Sequence, residues 1–91
     1  MPVVTQFSGS LLPGEYQEWV TTEWPLNWFV VWSVRPLAGQ SGNVTLRAVT
    51  VEAVFATPFP VGPTTLNYHL TVWNVGPETV SFDALYEYTE F

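Results

Sequence analysis

Few residues in this chain could do chemistry, and their spacing limits what they could do together. There is one histidine, His69, and no cysteine. A thiol nucleophile, a thiolate metal site and a site built from several imidazoles are therefore excluded. Ser81, His69 and Asp83 are the residue types of a nucleophilic triad. No Gly-x-Ser-x-Gly elbow lifts that serine off its strand, however, and a triad is defined by geometry rather than inventory. Glu15, Glu18, Glu23, Glu87 and Glu90 supply carboxylates for paired acid–base work. A chain of 91 residues leaves little room for a cleft that would set their pKa values apart, so they read as a solvated acidic surface. No calcium loop of EF-hand spacing and no glycine-rich phosphate loop occurs. The sequence thus predicts no catalytic residue, no metal site and no cofactor.

A different constellation is better formed. Over 64–74 the even positions Leu66, Tyr68, Leu70 and Val72 are apolar. The odd positions carry Asn67, His69, Thr71 and Trp73. Over 79–90 the even positions hold Val80, Phe82, Ala84, Tyr86 and Tyr88, and Ser81 and Asp83 lie on the other face. Period-two alternation marks strands with one buried face. If 74–78 closes a short hairpin, Trp73 faces Thr79 and His69 faces Asp83; a slip of two residues keeps the same faces. An indole plane beside an amide, an imidazole and a carboxylate suits a sugar, whose C–H face packs on the ring while its hydroxyls bond the polar groups. The candidate ligand-binding residues are therefore Trp73, His69, Asn67 and Asp83. The alternative is an aromatic packed on a neighbour and an ordinary cross-strand His–Asp pair.

The elements that position these residues follow from composition and punctuation. The chain is 47% hydrophobic, 16% aromatic and 11% charged, with a net charge of −6. That is one domain, 1–91, with enough apolar surface to fold. Its negative charge argues against a nucleic acid partner, and its apolar runs are too short for membrane insertion as a helix. The N-terminus lacks the basic start and long apolar stretch of a secretory signal. The expectation is a cytoplasmic location by default, or a place in an exported assembly.

Eight prolines and six glycines separate segments rich in valine, threonine and aromatics. These predict strands near 3–11, 15–22, 26–35, 43–56, 64–74 and 79–90. Trp24, Trp28 and Trp32 are four apart and would stripe a helix capped by Thr22. The β-branched Val30, Val31 and Val34, and the alternation of Trp28, Val30, Trp32 and Val34 with polar residues, favour a strand instead. A break of parity around Ala48 to Thr50 predicts a bulge or a strand buried on both faces. Arg47 is expected to pair with an acid such as Glu52 or one across the sheet, and Arg35 to end its strand in solvent. Trp28 and Trp32 are placed in the core, whereas Trp19 and Trp24 cap an end of the fold or join a contact surface.

Residues 70–82, Leu-Thr-Val-Trp-Asn-Val-Gly-Pro-Glu-Thr-Val-Ser-Phe, resemble the hairpin of bacterial immunoglobulin-like domains, with Val72, Asn74 and Gly76 in a Val-x-Asn-x-Gly pattern. The resemblance implies an adhesive, spacer or accessory role and transfers no functional residue.

The fold class expected is all-β: a single antiparallel β-sandwich of six or seven strands, immunoglobulin-like. Its core is expected to draw on Phe7, Trp28, Val30, Trp32, Leu66, Tyr68, Leu70, Val72, Val80, Phe82 and Tyr86. The function expected is a non-catalytic binding module, with a carbohydrate or cell-surface ligand. The alternative is a structural or assembly protein that forms a homo-oligomer and takes no small ligand. A thin core with surplus aromatics predicts a homo-oligomer under either reading.

Overall fold

Segments dense in β-branched and aromatic residues, separated by glycine and proline, leave the backbone few options but extended structure. The computed structural model describes residues 3–54 and 65–90, and among these there are six strands and no helix. They are β1 (Val4–Leu11), β2 (Tyr16–Pro25), β3 (Trp28–Pro36), β4 (Val44–Val54), β5 (Thr65–Asn74) and β6 (Val80–Glu90). The predicted strands are all present. The proline-rich stretch from 58 to 63 lies outside the described residues.

The strands form two antiparallel three-stranded sheets, sheet A in the order β1-β6-β3 and sheet B in the order β2-β5-β4. Of the sequence neighbours, only β4 and β5 share a sheet side by side; the chain otherwise changes sheet at each connection. The hairpin expected between β5 and β6 is therefore not formed. Both strands carry an apolar face, and alternation alone cannot distinguish strands side by side in one sheet from strands facing each other across a core. Here they are the two central strands, one in each sheet.

The two sheets share one interior. Leu11, Val72, Val80, Phe82 and Ala84 form one buried cluster, against which Phe7, Trp19, Val34, Val44 and Leu46 pack. Trp24, Val30, Trp32, Tyr68 and Leu70 form another, bordered by Trp28, Leu66, Tyr86 and Tyr88. Rings supply much of the interlock: Trp19 lies 5.4 Å from Phe7 and 5.3 Å edge-on to Phe82, and Trp24 lies 4.9 Å edge-on to Tyr86. Such pairs contribute about 0.5–1.5 kcal/mol each beyond area burial. Trp19 and Trp24 thus belong to the interior rather than to a contact surface. Gly9 is required by this packing, because a Cβ there would stand 3.1 Å from the rings of both Phe82 and Trp19.

Two irregularities shape sheet B. In β2 the register shifts between Thr21 and Trp24, and Glu23 has φ of 65°. This bulge extends β2 three residues beyond its expected end and turns Trp24 inward. In β4 the shift lies between Leu46 and Ala48, so the extra residue is Arg47. The predicted parity break is present, one residue before Ala48.

Asn74, at the end of β5, has no exposed surface. Its Nδ2 donates to the carbonyls of Leu11 (3.1 Å) and Glu78 (2.6 Å), and its Oδ1 accepts from the Gly76 amide at 3.0 Å. Its main chain bonds the β1–β2 turn, with Gly14 N donating to Asn74 O and Asn74 N donating to Glu15 O. Replacing Asn74 by leucine keeps the volume and leaves Leu11 O, Glu78 O and Gly76 N without this partner. Unsatisfied buried groups cost ~1–3 kcal/mol apiece, so Asn74→Leu is expected to lose about 2–4 kcal/mol in urea unfolding. A loss below ~0.5 kcal/mol, the scale of ordinary surface changes, would show that water replaces the carboxamide.

Candidate functional site

The outward face of sheet B carries three of the four residues predicted to form a site. Strand pairing places Tyr16 and Glu18 of β2, Asn67, His69, Thr71 and Trp73 of β5, and Thr45, Thr50 and Glu52 of β4 on this face. His69 sits at its centre, directly opposite Val20 on one side and Thr50 on the other. The acids reach it diagonally. Nδ1 is 3.4 Å from Glu18 Oε1 and Nε2 is 3.2 Å from Glu52 Oε1. Asn67 Nδ2 donates to the same Glu52 oxygen at 3.2 Å.

The imidazole therefore ties three strands together. A neutral ring has one N–H and can donate to one carboxylate only; imidazolium donates to both. Accordingly the bonds to Glu52 and then Glu18 raise the His69 pKa above its ordinary 6.5, with partial burial opposing them. The bonds from His69 and then Asn67 lower the Glu52 pKa below its ordinary 4.5.

Of the residues predicted to form a site, Trp73, His69 and Asn67 share this face and Asp83 does not. Asp83 lies in β6 of sheet A, accepts a bond from Ser8 Oγ at 2.5 Å, and faces Arg35 Nη2 at 4.0 Å. It is buried, whereas the expected His69–Asp83 pairing needed the hairpin that the crossing between sheets replaces. Ser81 is on β6 too, bonded to Ser10 at 3.0 Å, so Ser81, His69 and Asp83 form no triad. Arg35 is exposed as expected but has Asp83 beside it.

Trp73 is 37% exposed, and its Nε1 donates to Gly14 O at 3.3 Å. Its ring is not bare. The Arg47 guanidinium lies 5.3 Å from the Trp73 ring centre and 5.0 Å from that of Tyr16. The bulge throws Arg47 onto these rings, and cation–π attraction holds it there. The expected pairing of Arg47 with an acid, Glu52 or one across the sheet, is not seen among the described residues. Sequence reasoning missed Glu18 and Glu52 as partners of His69 because they come from strands 51 and 17 residues away.

Among the described residues no group of acids and imidazole is placed to hold a metal ion, and no pocket indents the surface. No family model matches this chain, and no curated protein or solved structure matches it either.

The sign of the pH dependence follows from the two shifts. The raised His69 pKa gives stability that is complete below about 6.5 and is lost as pH rises through the folded value. The lowered Glu52 pKa gives stability present above about 4.5 and lost as pH falls through its folded value. Thermal midpoints should therefore fall between pH 6 and pH 9, and His69→Asn should flatten that slope. Because there is one histidine, proton NMR reads it directly. Its midpoint is expected above 6.5, lowered more by Glu52→Gln than by Glu18→Gln. An unshifted midpoint would mean the acids leave the ring in solution.

Proposed function

We propose that this domain is a non-catalytic assembly module that associates with copies of itself through a sheet edge. The observation behind this reading is β4. It is an 11-residue edge strand, exposed or half-exposed along its whole length. Its inward-register residues Val49 and Val51 remain 42% and 52% exposed. A long apolar edge presents unpaired N–H and C=O groups and is a template for another strand. Extended backbone on this scale, beside a surface without a pocket among the described residues, fits a protein partner better than a small ligand.

A second reading keeps a glycan as ligand, because Trp73, His69 and Asn67 share one solvent face. The Arg47 guanidinium over the indole and the removal of Asp83 to the other sheet count against it. The likeness to bacterial immunoglobulin-like modules rests on the sequence of residues 70–82. The Asn74–Gly76 turn also supports it, while the crossing of 74–78 between sheets departs from the hairpin it implied. Such a likeness also fits an adhesive or accessory role without catalysis.

Light scattering across a dilution series separates the readings. The assembly reading expects a mass of at least twice the 10.2 kDa chain, falling on dilution. A monomer at every concentration, with tryptophan fluorescence that saturates on adding an oligosaccharide and is silent in Trp73→Ala, would replace it with the glycan reading.

A further inference from the structure

We infer that two copies of this chain pair through β4, antiparallel, across a two-fold axis that passes through Thr50. The inference rests on the assembly reading and specifies its interface. Three independent features of β4 meet in this one register.

The first is the open ladder side. Among the described residues β4 pairs with β5 on one side only, so the other side of its central stretch, around Thr50, can bond a second strand. A two-fold axis makes the contact self-complementary and closes it at two copies, forming one continuous six-stranded sheet from two sheets B.

The second is apolar. With Thr50 opposite Thr50 of the second copy, Val49 stands opposite Val51 of that copy, and Val51 opposite Val49. Both valines are substantially exposed in the lone chain. Both share the inward register of Leu70 and Tyr68, so pairing would extend the apolar layer across the axis.

The third is charge. The chain has two basic residues. Arg35 faces Asp83, but Arg47 has rings and no carboxylate beside it among the described residues. In the Thr50 register, Ala48 lies opposite Glu52 of the second copy, and the bulge places Arg47 next to it. His69 and Asn67 both bond Glu52 Oε1, which leaves Oε2. In the lone chain Arg47 lies over rings of β5 and β2, on the side of β4 away from its open edge, so the pair forms when the guanidinium leaves those rings for the Glu52 Oε2 of the second copy. The pair forms twice, once at each side of the axis, in molecules that otherwise repel at −6 each.

Other axes do worse. An axis at Glu52 sets carboxylate against carboxylate. One at Ala48 presses bulge on bulge and brings the two arginines together. One at Val51 leaves Arg47 beyond Val54 with no acid opposite it. The bulge and the charges, devices that commonly protect an edge from pairing, here disfavour those three registers.

The test uses the full chain and its variants, each checked by circular dichroism for native strand content. Thr50→Cys places two thiols face to face on the axis, and mild oxidation should give a covalent dimer on a non-reducing gel. Arg47→Glu should weaken the dimer at least tenfold by analytical ultracentrifugation, and so should Glu52→Arg. Joining the two should restore association, because the charges are exchanged rather than lost. A dimer that ignores both charge changes and fails to cross-link in Thr50→Cys, yet does so in a Val31→Cys variant on the β3 edge, would overturn the β4 interface and leave the assembly reading standing. A wild-type chain that is monomeric throughout would overturn both.

Discussion

The carboxamide of Asn74 is placed where two chain crossings meet. The β1–β2 turn and the β5–β6 connection both pass from one sheet to the other there, and each leaves backbone groups that no strand can pair. Asn74 bonds Leu11 and Glu78 with its two N–H groups and Gly76 with its oxygen. Its own main chain pairs with Gly14 and Glu15. With five bonds, one residue replaces the ladder partners that both crossings forfeit. Everything else follows from those crossings. They put β5 and β6 in opposite sheets, set their apolar faces against each other, and turn Trp73, His69 and Asn67 outward on sheet B.

The outward face owes its character to the same arrangement. Because β5 is central, its polar residues meet neighbours from both sides. His69 reaches one acid on β2 and one on β4, and Arg47 of β4 spans rings from β2 and β5. Both contacts cross all three strands of sheet B and hold the two edge strands to the middle one. The acids on His69 are exposed, so their attraction is screened by water and salt. The imidazole matters here less as a source of stability than as the group that fixes which oxygen of Glu52 is occupied.

Much of the fold was legible in the chain. Alternation located β5 and β6 with their buried faces, and all six strands fell within about three residues of where propensity and punctuation put them. The break of parity near Ala48 announced the bulge. The pattern Val72-x-Asn74-x-Gly76 suggested a hairpin that is not formed; what it keeps is a local bond in which Asn74 Oδ1 accepts the Gly76 amide. What stayed illegible was adjacency. A strand with one apolar face has the same sequence whether its neighbour lies beside it or across the core, and so Asp83 was paired with His69 when it belongs with Ser8 and Arg35. Trp32, Tyr68 and Phe82 are buried as expected, whereas Trp19 and Trp24 were misjudged. Trp24 looked like an edge residue beside Glu23, but a positive φ at Glu23 turns it into the core, and no spacing rule reveals a bulge of that kind.

The pairing of β1 with β6 carries a consequence in time. Val4 lies beside Tyr86 and Leu11 beside Val80, so β1 must wait for β6 before sheet A can close. Contacts so distant along the chain slow folding, because the loop must be closed before any bond rewards it. Sheet B has no such delay, since β2, β5 and β4 are all synthesised before β6 is complete. Sheet A, not sheet B, is therefore the slower of the two to close.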